Sequence, residues 1–116
     1  MSKVAIYHNP RCSKSRQTLE LLREQGVEPE IINYLEHPPS LKQIKELLQA
    51  LNCSVREILR SNEADYKAQN LQDPELNEQQ LIKAITQYPK ILQRPIVVKG
   101  KKAVIGRPPE NVLSLL

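Results

Sequence analysis

The pattern of apolar and polar residues predicts a strand, a helix and a second strand in the first third of the chain. Residues 3–7 form a short segment with β-branched side chains, which predicts a first strand. Pro10 then ends this strand, because proline has no backbone N–H to donate to a neighbouring strand. A helix is expected to begin at Cys12 or Ser13 and to run to Gln25, with leucines at helical spacing. Glu30 to Tyr34 then predicts a second strand. A crossover helix between two short strands implies a right-handed, parallel βαβ unit.

The middle of the chain predicts helices. Ser40 is a good N-cap, Ser54 is expected to cap a short third helix, and residues 60–74 are polar and predict irregular structure. Asn77 is expected to cap a fourth helix that ends before Pro89. The helix after Ser40 has one apolar face, made of Leu41, Ile44, Leu47, Leu48 and Leu51.

The C-terminal part predicts a β-hairpin followed by a helix. Residues 96–99 and 102–105 are two apolar segments separated by Gly100-Lys101, which is typical of a two-residue hairpin turn. Residues 110–116 predict a last helix. The order β-α-β, helices, β-β-α predicts an α/β, thioredoxin-like fold with a helical insertion between its halves. A length of 116 residues predicts one domain, 1–116.

Charge and composition narrow the possible partners. The net charge is +4, from 17 Lys and Arg against 13 Asp and Glu, which favours an anionic partner. The basic residues are scattered and lack accompanying aromatic residues, so no nucleic-acid partner is expected. No apolar run approaches the roughly 18 residues of a membrane span, and the N-terminus does not resemble a signal peptide. We therefore expect a cytoplasmic protein with no membrane partner.

Cys12 is the residue best placed for chemistry. A thiol reacts as its thiolate, and a helix N-terminus lowers a thiol's pKa. Ser13 and Ser15 offer hydroxyl donors, and His8 and several basic residues lie close along the chain. The competing interpretation is a small, buried and inert cysteine. The polar sequence on both sides of Cys12 favours the reactive thiol.

Position 15 is a serine, so Cys12 does not belong to a Cys-x-x-Cys pair. Its sulfur is therefore expected to pair with a thiol from outside the chain. Cys53, near the end of an apolar helix, is interpreted as a buried or incidental thiol, and His37 as a loop residue without a role. No cluster of residues has the spacing of a metal site, so no metal is expected.

A thiolate that attacks an oxyanion needs fixed cations to overcome like-charge repulsion. Arginine suits this task because its planar fork binds two oxygens and stays charged. Arg94 precedes the third predicted strand, Arg107 follows the fourth, and Arg60 follows a short helix. Strand ends are where α/β folds place ligands. For each arginine alone, composition favours a solvated surface residue, and no spacing rule selects these three.

Several segments together resemble the ArsC family of glutaredoxin-linked and glutathione-linked arsenate reductases, in its shorter chromosomal form. The resemblance covers essentially the whole chain, and the combination of segments is specific where any one alone is weak. The segments are residues 7–16, 34–35, 38–40, 60–63, 66–67, 94–97 and 103–109.

The resemblance implies that Cys12 is the nucleophile and that Arg60, Arg94 and Arg107 bind the oxyanion and the product. Cys12 would attack arsenic(V), glutathione would attack the adduct as a co-substrate, and glutaredoxin would resolve the glutathionylated intermediate. No bound cofactor is implied.

The resemblance also assigns roles to three neighbouring residues. His8 would help to keep Cys12 ionised, Ser15 would donate to the thiolate, and Pro95 would be the cis-proline of thioredoxin-like folds. Two alternatives remain open: a thiol-transferase acting on another oxyanion or mixed disulfide, and a non-enzymatic regulator resembling Spx. The second is disfavoured by the serine at position 15 and by the three arginines.

Overall fold

The computed structural model describes residues 3–116. Four strands, four α-helices and three short 3₁₀ segments follow one another within this range. The order along the chain is β1 (Val4–His8), α1 (Ser13–Glu24), β2 (Glu30–Asn33), α2 (Leu41–Leu51), the 3₁₀ segment Val55–Ile58, α3 (Ala64–Ala68), α4 (Glu78–Gln87), the 3₁₀ segment Pro89–Ile91, β3 (Ile96–Lys99), β4 (Lys102–Ile105) and the 3₁₀ segment Pro109–Leu115.

The strands form one sheet in the order β2-β1-β3-β4. Strand β1 pairs in parallel with β2 and antiparallel with β3, and β3 and β4 form the predicted hairpin. This arrangement confirms the predicted thioredoxin-like plan with helices inserted between its halves. No helix within residues 3–116 is long and apolar enough to cross a membrane.

Alternation along the strands creates a core on each face of the sheet. Tyr7 and Ile96 belong to the larger core, while Ile6 and Val97, their neighbours along the same strands, belong to the smaller one. Helices α2 and α4 cover the larger core, since their buried faces contribute Ile44, Leu47, Leu81, Ile82 and Ile85. Helix α1 covers the other face with Leu19 and Leu22, against Ile6, Val97 and Val112.

Two elements differ from the sequence prediction. The segment predicted to be irregular contains α3, a helix of five residues without a buried side chain, which explains why no apolar periodicity announced it. The last helix is a 3₁₀ segment that begins at Pro109 rather than Glu110. Elsewhere the boundaries shift by one residue: β1 ends at His8, and β2 ends before Tyr34.

The strand register brings one end of each of the four strands to the same edge of the sheet. Tyr7, near the end of β1, lies opposite Ile96 at the start of β3, which in turn lies opposite Ile105 at the end of β4. The segments that follow β1 and β4 and the segment that precedes β3 therefore meet at this edge. Strand β2 runs parallel to β1 and ends there as well.

Gly106 fixes the packing of this edge. Its backbone N–H donates to the carbonyl of Pro95 at 2.9 Å. A Cβ atom at this position would lie 2.7 Å from Oγ1 of Thr18 and 2.9 Å from Cγ of Pro95. Because Thr18 is fully buried in α1, only a glycine allows the helix and the β4 end to approach this closely.

We expect Gly106→Ala to lower the free energy of unfolding by about 1–3 kcal/mol, the usual cost of overpacking. Urea denaturation measures the change. Adding Thr18→Ala to the Gly106→Ala variant should recover part of the loss, because it removes the nearest clash. A Gly106→Ala protein as stable as the parent would contradict this account of the edge.

Candidate active site

Cys12 lies at the N-cap of α1, in an extended conformation (φ −91°, ψ 123°), and is half-buried. The turn that delivers it is built by Asn9. The Oδ1 atom of Asn9 accepts from the backbone N–H of Arg11 at 3.0 Å, and its carbonyl accepts from the N–H of Cys12 at 3.0 Å. Sequence reasoning gave Asn9 no role, although an Asn-Pro pair after a strand is typical of such a turn.

The surroundings of Cys12 favour its thiolate. Burial raises the pKa of this thiol, but the backbone N–H groups of Ser15 and Lys14 and the guanidinium of Arg94 outweigh burial and bring the pKa below its ordinary value. The two N–H groups belong to the first turn of α1 and act on the sulfur without closing a full capping hydrogen bond. The N-terminus of α1 therefore helps to lower the pKa of Cys12, as the sequence analysis predicted.

His8 and Ser15 form a buried pair behind the thiol. Their Nδ1 and Oγ atoms lie 2.6 Å apart, and Oγ also accepts from the backbone N–H of Asn9 at 3.0 Å. The Ser15 side chain is thus engaged by His8 and Asn9, while the backbone N–H of Ser15 acts on the sulfur of Cys12. That the Ser15 hydroxyl donates to the thiolate stays a prediction.

His8 lies behind the active-site turn and is bonded to Ser15. Burial lowers the pKa of His8, and the charges of Arg23 and Arg16 lower it further. That His8 helps to keep Cys12 ionised stays a prediction.

Arg107 and Arg94 approach the sulfur from the other side. The Nη2 atom of Arg107 lies 3.4 Å from Sγ of Cys12, and its Nε donates to the backbone carbonyl of Arg94 at 2.7 Å. The Arg94–Pro95 peptide bond is cis. Pro95 itself is buried and packs near Gly106, so the two arginine-bearing segments are held side by side.

Arg60 reaches the same site from the helical insertion. Its backbone N–H donates to the carbonyl of Ile91 at 2.7 Å, which ties it to the segment leading to Arg94. Burial lowers the pKa of Arg60, and the charges of Arg94 and Arg107 lower it further, while Glu63 and Cys12 oppose them. These influences on Arg60 indicate that the three guanidinium groups and the thiol lie near one another.

Glu63 lies between two of the arginines. Its Oε1 atom is 3.7 Å from Nη1 of Arg60 and 3.6 Å from Nη1 of Arg94. The sequence analysis gave Glu63 no role, because its function as a shared counter-ion depends on two residues 31 positions apart (63 to 94) meeting in space. A carboxylate there partly offsets the repulsion between the two cations.

Unpaired polar atoms are concentrated at this site. Within residues 3–116, the buried side-chain atoms without a hydrogen-bond partner are Nη1 of Arg60, Nε of Arg94 and the hydroxyl of Tyr34. Buried donors normally have partners, and each exception calls for an explanation. Two of these donors are guanidinium N–H groups beside a thiol, so the arrangement can receive an oxyanion.

Cys53 and His37 lie apart from this arrangement. Cys53 lines a different cavity with Leu51, Glu57 and Ala103, and burial, followed by the effect of Glu57, raises the pKa of its thiol. His37 is exposed in a bend. Within residues 3–116 no three His, Cys, Asp or Glu side chains group together as metal ligands do.

The two thiols should differ sharply in reactivity. We expect iodoacetamide to modify Cys12 in the Cys53→Ser variant with a rate that reaches its plateau at a lower pH than for a free cysteine. For Cys53 in the Cys12→Ser variant the plateau should come at a higher pH. Rates measured across a pH series test both; superimposable profiles would show that the site does not stabilise the thiolate.

Known proteins resemble this chain in sequence and, where a solved structure is available, in fold. YfgD of Escherichia coli K12, described as uncharacterized, is 53% identical over 115 residues, 98% of this chain and 97% of that protein. The arsenate reductase of Haemophilus influenzae is 44% identical over 114 residues, 97% and 98% of the two chains. The structure of the arsenate reductase from Vibrio cholerae aligns with a TM-score of 0.97 at 48% identity, covering 99% of this chain and 98% of that one.

The family model of the ArsC family matches residues 7–115, which include Cys12 and all three arginines. With this match and relatives above 40% identity over nearly the whole chain, the protein belongs to the ArsC family.

Proposed function

We propose that this protein reduces arsenate to arsenite, with Cys12 as the nucleophile and glutathione and glutaredoxin as the source of electrons. One observation carries the proposal: a thiol whose pKa is lowered lies 3.4 Å from a guanidinium of Arg107 and shares its site with Arg94 and Arg60. Relatives named arsenate reductase support the choice of oxyanion.

In the first step the thiolate of Cys12 attacks the arsenic atom, and an arsenic–oxygen bond breaks with the oxygen leaving as water. The arsenic is still in the +5 state in this adduct. The guanidinium groups hold the remaining oxygens and offset the repulsion between two anions. The proton that completes the leaving water comes from the oxyanion or from solvent.

Reduction follows when thiols supply two electrons. A glutathione thiolate attacks the Cys12 sulfur of the adduct, and the sulfur–arsenic bond breaks with its electron pair going to arsenic. Arsenite leaves with arsenic in the +3 state, and the two sulfurs are joined as a disulfide between Cys12 and glutathione. Glutaredoxin with a second glutathione then restores the Cys12 thiolate. The balance is arsenic acid and two glutathione molecules giving arsenous acid, one glutathione disulfide and one water.

The chain supplies one sulfur to this sequence, which supports an external thiol donor. Position 15 is a serine whose hydroxyl is engaged with His8 and Asn9. Cys53 lines a separate cavity, and the pKa of its thiol is raised. Ser15 carries no thiol and Cys53 lies elsewhere, which supports an external thiol as the electron source, and the family resemblance is the reason for choosing glutathione. No bound cofactor is part of the proposal, and the setting proposed for the reaction is the cytoplasm.

Cys12→Ser should abolish arsenate-dependent turnover while the unfolding midpoint stays close to that of the parent, because the change is nearly isosteric. The test is NADPH oxidation in an assay with arsenate, glutathione, glutaredoxin and glutathione reductase, with each component omitted in turn. Turnover that persists without glutaredoxin would reject that partner. Residual turnover by Cys12→Ser would reject the nucleophile.

Arg94→Ala and Arg107→Ala should each lower kcat/KM for arsenate by about 10²–10³, the usual effect of removing one donor from a developing oxyanion. Arg23→Ala is the matched control, since Arg23 forms an exposed pair with Glu28 at 3.0 Å and an exposed pair contributes little. Steady-state kinetics of the three variants decide the point. Equal kcat/KM values for all three variants would show that Arg94 and Arg107 do not bind the oxyanion.

Cys53→Ser should keep at least most of the parent's turnover, because Cys53 belongs to a different cavity from the three arginines. The same coupled assay measures it. Loss of turnover in this variant, with the fold intact by circular dichroism, would point instead to an internal resolving thiol.

A further inference from the structure

Tyr34 is a fully buried residue whose hydroxyl has no hydrogen-bond partner. It contributes to the larger core, where its ring packs among aliphatic side chains. A phenylalanine would fill the same space without the cost of an unpaired hydroxyl. The hydroxyl therefore calls for an explanation outside packing.

The fold directs Tyr34 toward the active-site edge. It directly follows β2, whose last residue Asn33 pairs with His8 of β1, so Tyr34 and Asn9 leave neighbouring strands at the same edge. Burial raises the pKa of Tyr34, whereas Arg94 and Asn9 lower it. Both side chains are thus close to the hydroxyl, although neither forms an aligned hydrogen bond with it.

The unpaired atom of Arg94 complements this hydroxyl. Nε of Arg94 is a buried donor without an acceptor, and the oxygen of Tyr34 is a buried acceptor without a donor. Arg94 is in addition drawn toward Glu63 through Nη1, at 3.6 Å.

We propose that Tyr34 is a positioning residue for Arg94: its hydroxyl oxygen accepts a hydrogen bond from Nε when a bound oxyanion draws the guanidinium toward Cys12. The hydroxyl stays protonated throughout and does not react. Its function is to fix the plane of the guanidinium so that both terminal nitrogens are free to bind anion oxygens. The inference rests on the proposed oxyanion site and names a residue that completes it.

The test compares Tyr34→Phe with Tyr7→Phe, both in the Cys53→Ser background, so that Cys12 is the one thiol to react. Tyr7 is a matched control because it is also buried in the larger core. Burial raises its pKa, and the nearby charges are the carboxylates of Glu46 and Glu30 rather than the arginines. Arsenate and, separately, inorganic phosphate are titrated against the rate of Cys12 alkylation.

Tyr34→Phe should weaken protection by either anion about tenfold, as expected for one hydrogen bond to a charged group, and should raise KM for arsenate more than it lowers kcat. Tyr7→Phe should match the parent in both. Equal protection in the two variants would overturn the inference.

A second measurement follows the tyrosine absorption of the parent protein and compares it with that of the two variants. The chain has four tyrosines and no tryptophan or phenylalanine, so its near-ultraviolet absorption reports on tyrosine. Phosphate should change the tyrosine spectrum of the parent and of Tyr7→Phe, and should leave that of Tyr34→Phe unchanged. A parent spectrum that does not respond to saturating phosphate would overturn the inference.

The outcomes separate this inference from the proposed reaction. Anion protection and a tyrosine response without arsenate-dependent turnover would reject the reductase and retain the role of Tyr34. Arsenate-dependent turnover in the parent, together with equal anion protection of Cys12 in Tyr34→Phe and Tyr7→Phe, would retain the reductase and reject the role of Tyr34. Failure of both anions to protect Cys12 in the parent would reject the two together.

Discussion

The attraction between the Cys12 thiolate and the helix N-terminus and guanidinium around it, which lowers the pKa of the thiol, is the interaction on which this site depends. Cys12 is half-buried, which by itself disfavours the thiolate, and the first turn of α1 with Arg94 reverses that preference. The relation is mutual, since the charges of Cys12 and Glu63 oppose the effects that lower the pKa of Arg60. Removing the negative charge would leave three neighbouring cations with one carboxylate between them.

Packing of the sheet holds these like charges together despite their mutual repulsion. Cores on both of its faces fix the strands, and the antiparallel register of β3 with β1 and β4 brings Arg94 and Arg107 to the end of the sheet where α1 begins. Gly106 allows the close approach that this requires. Buried side-chain atoms of Arg60, Arg94 and Tyr34 have no hydrogen-bond partner, so the site holds unused hydrogen-bonding capacity. Such capacity is typical of a site arranged for a ligand.

The fold was largely predictable, because its main elements carry local signals. Ser40 and Asn77 form capping boxes at the helices they were expected to begin, and the Gly100-Lys101 turn closes the predicted hairpin. Helix α3 was not predictable, since it buries no side chain and therefore shows no periodic pattern. The site was predictable where a residue's chemistry depends on its own helix end, as for Cys12. The roles of Glu63 and Tyr34 were not predictable, because the residues around them come from distant segments of the chain.

The sequence alone determined that Cys12 stands at a strand-to-helix turn without a second cysteine three positions later, and therefore that no Cys-x-x-Cys pair can form there. Tertiary structure decided the rest. It directed the Ser15 hydroxyl to His8, placed Nη2 of Arg107 against the sulfur, and set Glu63 between Arg60 and Arg94. The physical reason is distance: a helix N-terminus acts within one turn of the chain, whereas charges and hydrogen bonds between remote residues exist only after the sheet has brought them within a few ångströms.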